Sequence, residues 1–156
     1  MSWESEMTIH ANIETVWQLF TEENMKRIMP QVVAHKLVST DPITRTNIYE
    51  ETYAEGKRKE TYLLTEIILL DTPTEKHKSF DFTIAKMIHS MGEFQLKKIT
   101  DTETLFIYRG KNEGVNFLGK TMLKIGSQKK NDEVVENFVQ LVKKEAEKDE
   151  MKKSSE

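Results

Sequence analysis

Tyr49, Glu51 and Tyr53 alternate along one stretch of chain, so an extended strand places all three on one face. Tyr62 and Glu66 share a parity in the next stretch. Inside a cavity, a carboxylate among tyrosines serves as an acid or base, or orients a ligand hydroxyl. On the solvent side of a sheet the same residues are ordinary strand occupants, and the sequence leaves both placements open. If the chain is an enzyme, Glu51 with Tyr49 and Tyr53 is the set that would carry the chemistry. Phe80, Phe82 and Ile84 alternate, as do Phe94 and Leu96. Phe80, Phe82, Phe94 and Leu96, with Tyr62, Tyr108, Met122 and Phe138, would supply an aromatic and apolar lining for a ligand pocket. Arg109 ends an apolar run, where it could pair with a ligand carboxylate or lie on the surface.

Other chemistries find less support. Gly114-Val115-Asn116-Phe117-Leu118-Gly119-Lys120-Thr121 matches the phosphate-loop pattern G-x-x-x-x-G-K-[ST]. Its bulky Val115, Phe117 and Leu118 suit packing better than close backbone approach to phosphate. The chain beyond it reads as helix, not as the parallel sheet such a loop needs, so this segment is read as a helix cap. His10, His35, His77 and His89 are scattered, without the local spacing of a metal site, and no metal or other cofactor is expected. No Gly-x-Ser-x-Gly elbow occurs.

The 156 residues carry 23 basic and 26 acidic side chains, a formal charge of −3. Nucleic-acid binders normally carry a basic excess, so none is expected as a partner. There is no cysteine, which excludes disulfides, thiolate metal sites and a cysteine nucleophile. No leader peptide is visible, and Ile67-Ile68-Leu69-Leu70 is far too short to span a bilayer. The expectation is one cytoplasmic domain over residues 1–156 without stable membrane insertion.

These side chains must be positioned by the elements the pattern predicts. Trp3, Ser5, Met7 and Ile9 form a strand with one wet face. Asn12 caps a helix with Ile13, Val16, Trp17 and Phe20 on its apolar side; Thr21 caps a second, ended by Pro30. Six strands come next at 32–39, 43–53, 60–70, 77–85, 90–100 and 104–109, joined by short turns as an antiparallel meander. Leu105-Phe106-Ile107-Tyr108 is apolar on both faces, as a central strand or one meeting a partner would be. Beyond Gly114, one stripe (Val115, Leu118, Met122, Ile125) and another (Val134, Val135, Phe138, Leu141, Val142) lie about 160° apart on a straight helix. That predicts either a break near Gly126-Ser127 or a loop-like first half followed by a helix from about Asn131 to Lys148. The charges from Lys129 to Lys153 read as a solvated face, and 149–156 as a frayed tail.

The opening Ile9-His10-Ala11-Asn12-Ile13-Glu14-Thr15-Val16-Trp17, the Tyr49–Tyr53 strand, the Glu55-Gly56-Lys57-Arg58 turn and the terminal helix resemble the START-like (SRPBCC) helix-grip proteins. The resemblance covers roughly residues 3 to 148. It implies an α+β fold: a curved antiparallel sheet of about seven strands around a long C-terminal helix, with two short helices after the first strand. It also implies a cavity for a hydrophobic or amphipathic ligand, such as a lipid, quinone or polyketide-like aromatic. A cyclase or dehydratase is the alternative, and a chaperone-cofactor-like interaction module, its protein partner unknown, is the third.

Overall fold

The computed structural model describes residues 1–154. Its elements, in order, are β1 (Ser2–Ile9), α1 (Ile13–Gln18), α2 (Met25–Ile28), β2 (Val32–Asp41), β3 (Thr46–Glu55), β4 (Arg58–Asp71), β5 (Glu75–Ile84), β6 (Ile88–Thr100), β7 (Glu103–Gly114), α3 (Phe117–Ile125) and α4 (Gln128–Ser154). Short turns force β2 to β7 to pair in sequence, and β1 closes the order as β1-β7-β6-β5-β4-β3-β2. Every pairing is antiparallel. β7 thus lies inside the sheet between β1 and β6, which accounts for its apolar residues on both faces; Phe106 and Ile107 are both buried.

One face of this sheet is covered by α4 and the two short helices. Ile9, Ile13, Val16, Leu19, Leu96 and Phe106 meet Val135, Val139, Val142 and Ala146 in the core. Gly92 and Gly110 stand opposite each other on β6 and β7. A Cβ on Gly110 would come 2.4 Å from the Trp3 ring, and one on Gly92 would come 2.7 Å from the Phe80 ring. The missing side chains let those two rings lie against the sheet.

The expected break occurs at Gly126, whose extended backbone (ψ 140) ends α3. Several expected bounds differ for local reasons. Ile43 is 91% exposed in the β2–β3 turn rather than in a strand. The Asp41 carboxylate accepts the Ile43 and Thr44 N–H groups there and holds the turn open to Arg45. Asn24, not Thr21, precedes α2; the Thr21 hydroxyl instead donates to the Gln18 carbonyl at the end of α1. On α4 the buried stripe is Val135, Val139, Val142 and Ala146, and Val134 is 63% exposed. Of the expected stripe beyond Gly114, Val115 just before α3 and Leu118 on it are exposed, and the Ile125 side chain lies outside the described residues.

The expected frayed tail is helical through Ser154, and residues 155–156 lie outside the described residues. Asp149 and Glu150, with Glu145 and Glu147 just before them, clamp the β1–α1–α2 corner, while Lys152 and Lys153 are exposed. Arg27 binds Asp149 at 2.8 Å and Glu145 at 3.1 Å. Glu147 accepts the His10 N–H, and Glu150 accepts the Asn12 N–H. These N–H groups sit at the strand-to-helix corner, where the backbone has no ladder partner.

In the β5–β6 turn, Ala85 (φ 53) and Lys86 (φ 58) both occupy the left-handed region, and the Met87 N–H closes onto the Ile84 carbonyl. Asparagine tolerates that backbone better than alanine. Ala85→Asn is expected to raise stability by about 0.5–1 kcal/mol, read as a higher midpoint in urea with an unchanged slope.

Candidate functional site

Odd residues of β3, even residues of β4, β5, β6 and β7, and the inner side of α4 face one another across the sheet's concave side. They enclose a cavity of about 160 Å³, closed at one end by Phe20, Met25 and Met29 from the helical segment. Its walls are largely aromatic. Phe94 is central, with ring centroids at 4.7 Å from Phe20, 5.1 Å from Phe80 and 4.9 Å from Tyr108. Tyr62 stacks on Phe82 at 4.6 Å.

Two polar clusters interrupt this wall. Glu51 is 3% exposed. Its Oε2 accepts the Tyr62 hydroxyl at 2.6 Å, and its Oε1 lies 2.8 Å from His35 Nδ1. The His35 ring in turn stacks on Tyr49 at 4.1 Å. Register explains the cluster: His35, Glu51 and Tyr62 are directly opposite one another on β2, β3 and β4. In the neutral tautomer whose Nδ1 donates to Glu51, the other ring nitrogen of His35 is an acceptor. This is the carboxylate–imidazole arrangement that orients a general base.

The second cluster is Lys78 with Glu66, Nζ to Oε2 3.1 Å, both buried. Lys78 also donates to the Phe20 carbonyl, and its ammonium lies 5.2 Å over the Trp17 ring. Asn47 donates to the other Glu66 oxygen. Burial pushes the Lys78 ammonium below the usual lysine range, and Glu66 opposes that shift.

Of the residues read from sequence, Glu51, Tyr53, Tyr62, Phe80, Phe82, Phe94, Tyr108 and Phe138 line the cavity. Tyr49 packs behind His35 rather than in the wall. Leu96 is fully buried in the core below it. Met122 lies on α3, outside the lining. Arg109 is on the opposite face of the sheet, 3.1 Å from Glu93, and does not reach the cavity.

Sequence reading missed His35, Glu66's partner Lys78, and the wall residues Leu64, Ile84 and Ser90. Lys78 had a signal: it shares the parity of Phe80, Phe82 and Ile84. Its charge masks that signal, because strand lysines are normally solvated. His35 had none, since register irregularities at Val32/Ala34 and Leu37/Ser39 break the alternation of β2. Among the described residues no three histidine, aspartate or glutamate side chains form a metal-binding group. Three N–H groups of the phosphate-loop segment are already engaged within the protein. Gly119 N–H goes to the Asn116 side chain, Lys120 N–H to the Asn116 carbonyl and Val115 N–H to Met87.

All four tyrosines are held above the usual phenol value, chiefly by burial, and Tyr49 is pushed up to about 12. Above about pH 10 the unfolded chain loses phenol protons that the folded chain keeps, so stability falls with rising pH. The folded protein is expected to show little tyrosinate absorbance at about pH 10, with ionisation arriving together with alkaline unfolding. A titration of free-tyrosine character in the folded protein would contradict this.

No protein-family model matches the chain, and no curated protein matches it by sequence. Solved structures match it in fold. The ZhuI aromatase/cyclase of Streptomyces sp. R1128 has a TM-score of 0.72 at 12% identity, covering 94% of this chain and 93% of that one. TTHA0849 of Thermus thermophilus has a TM-score of 0.67 at 15% identity, covering 94% and 97%. Human STARD10 has a TM-score of 0.68 at 10% identity; the match covers 90% of this chain and 62% of STARD10. The chain therefore has the START-like helix-grip fold. Among the described residues no helix is long and apolar enough to cross a membrane.

Proposed function

We propose that the protein binds a small, mainly apolar molecule about the size of one ring, with an oxygen function held at His35, Glu51 and Tyr62. The observation that carries this reading is a largely apolar, aromatic-walled cavity of about 160 Å³ with a buried, hydrogen-bonded carboxylate in its wall. An apolar cavity of about 150 Å³ takes benzene, so one aromatic ring fits without rearrangement. A long acyl chain does not. It would have to extend past Met29, Tyr53, Tyr108 and Phe138 into the neighbouring cleft of about 290 Å³. Apolar burial supplies the affinity and the polar cluster sets orientation.

Native mass spectrometry of gently purified protein, followed by a thermal-shift screen of phenols and single-ring ketones, tests the reading. At a hundred times Kd a ligand raises stability by about 2.7 kcal/mol. Tyr62→Phe is expected to weaken a phenol hit about tenfold, because the Tyr62 oxygen, whose proton goes to Glu51, is lost as an acceptor for the ligand hydroxyl. Phenol hits that bind Tyr62→Phe equally well would place the ligand elsewhere.

The pairing of His35 with Glu51 favours a second reading, an acid–base enzyme of the cyclase or dehydratase type. Its signature is a pH–rate profile that disappears in Glu51→Gln, whereas a carrier keeps binding with modest change.

A further inference from the structure

The segment from Gly114 to Lys130 contains no aspartate or glutamate, in a chain with 26 acidic residues, and carries Lys120, Lys124, Lys129 and Lys130. It begins with three exposed apolar side chains: Phe117 is 86% exposed, Leu118 58% and Val115 52%. On α3, Phe117, Lys120 and Lys124 recur at helical spacing, which places the ring and two exposed ammonium groups on one side. Lys86 of the β5–β6 turn adds another exposed cation beside them, its carbonyl accepting from Asn116.

This tip is firmly mounted. Val115 N–H bonds the Met87 carbonyl at 2.8 Å. Gly119 is packed so tightly that a Cβ there would come 2.0 Å from the same carbonyl oxygen. The apolar side chains are therefore held out of the core by the backbone around them.

We propose that this tip docks the protein on an anionic lipid bilayer, with Phe117, Leu118 and Val115 entering the interface and Lys86, Lys120 and Lys124 at the headgroups. A bilayer accepts protruding apolar side chains without a complementary pocket, while lysine stems lie along the boundary and keep their charges in the headgroup layer. An acidic protein would need a cavity shaped to Phe117. Docking of this kind is peripheral and requires no spanning segment. It is independent of what the internal cavity holds, although the cavity wall reaches Ile84, at the base of the same turn.

The test is flotation of the full chain with vesicles of phosphatidylcholine and phosphatidylglycerol at about 7:3, and with phosphatidylcholine alone. The chain is expected to float with the anionic vesicles and to bind them more weakly as salt rises. Phe117→Ser with Leu118→Ser is expected to weaken binding about tenfold or more. Lys120→Glu with Lys124→Glu is expected to weaken it about fivefold or more per lysine. All four side chains are exposed, so both variants should melt with the parent. The proposal is overturned by absence of flotation, or by flotation that neither pair changes. It is also overturned if polyglutamate-coated beads bind the chain as tightly as the vesicles do, with no effect of Phe117→Ser and Leu118→Ser, which would assign the face to an acidic protein.

Discussion

Lys78→Met is expected to destabilise the protein by about 3–5 kcal/mol, because it leaves a buried carboxylate without its cation. Glu66 is 8% exposed, and Asn47 would remain as a neutral donor to it. The loss should not measure the worth of the ion pair itself. Replacing both partners, Lys78→Met with Glu66→Leu, is expected to recover most of the stability, since two apolar side chains of similar volume need no compensation there. Urea denaturation of the parent, the two single variants and the double variant forms the double-mutant cycle. A double variant as unstable as Lys78→Met would mean that the pair is needed for the local backbone.

Another single change, Glu66→Gln, leaves the cation buried instead. Lys78 is already held below the usual lysine range by burial. Without Glu66 it falls further, and the unfolded chain then binds the extra proton up to about pH 10.5. Stability relative to the parent is therefore expected to recover as pH rises through that window.

Phe94→Ala is the second large effect, with an expected loss of about 3–5 kcal/mol. Its ring touches Phe20, Phe80, Tyr108 and Phe138 and also forms part of the cavity wall. Truncation merges the lost ring volume with the existing cavity. The space added there is lined by Phe20, Phe80, Tyr108 and Phe138, so it should accept an added ring such as indole. At saturating indole the variant is expected to regain stability by the ordinary ligand linkage, about 2.7 kcal/mol at a hundred times Kd. A loss below about 1 kcal/mol would show that neighbouring rings collapse into the gap, and indole would then have no effect.

Both predictions concern residues that sit on one concave face, and the two were unequally legible. Phe94 is part of a visible alternation with Leu96. Lys78 continues the series of Phe80, Phe82 and Ile84, yet its charge argues for solvent. Only a carboxylate placed opposite it, on another strand, makes its burial tolerable. Glu51 shows the same dependence. Its parity with Tyr49 and Tyr53 is plain, but parity does not say which face is covered. Arg109 went the other way, for a terminal arginine on an apolar strand fits a cavity mouth and a solvated face equally well.

The order of elements, the meander and the START-like resemblance were legible in the residues, and a break near Gly126-Ser127 was one of the two readings they allowed; that the first half is helical came from the structure. The legible features depend on periodicities of about two and 3.6, on caps and on turn residues, all of which act within a few positions. The tertiary structure alone decided that His35, Glu51 and Tyr62 share a register line. It alone buried Lys78 against Glu66, and it turned the charged end of α4 into a clamp on Arg27 and the β1–α1 corner. Each of these joins residues from different elements. Cross-strand register and helix placement depend on the packing of the whole sheet, and no local pattern encodes them.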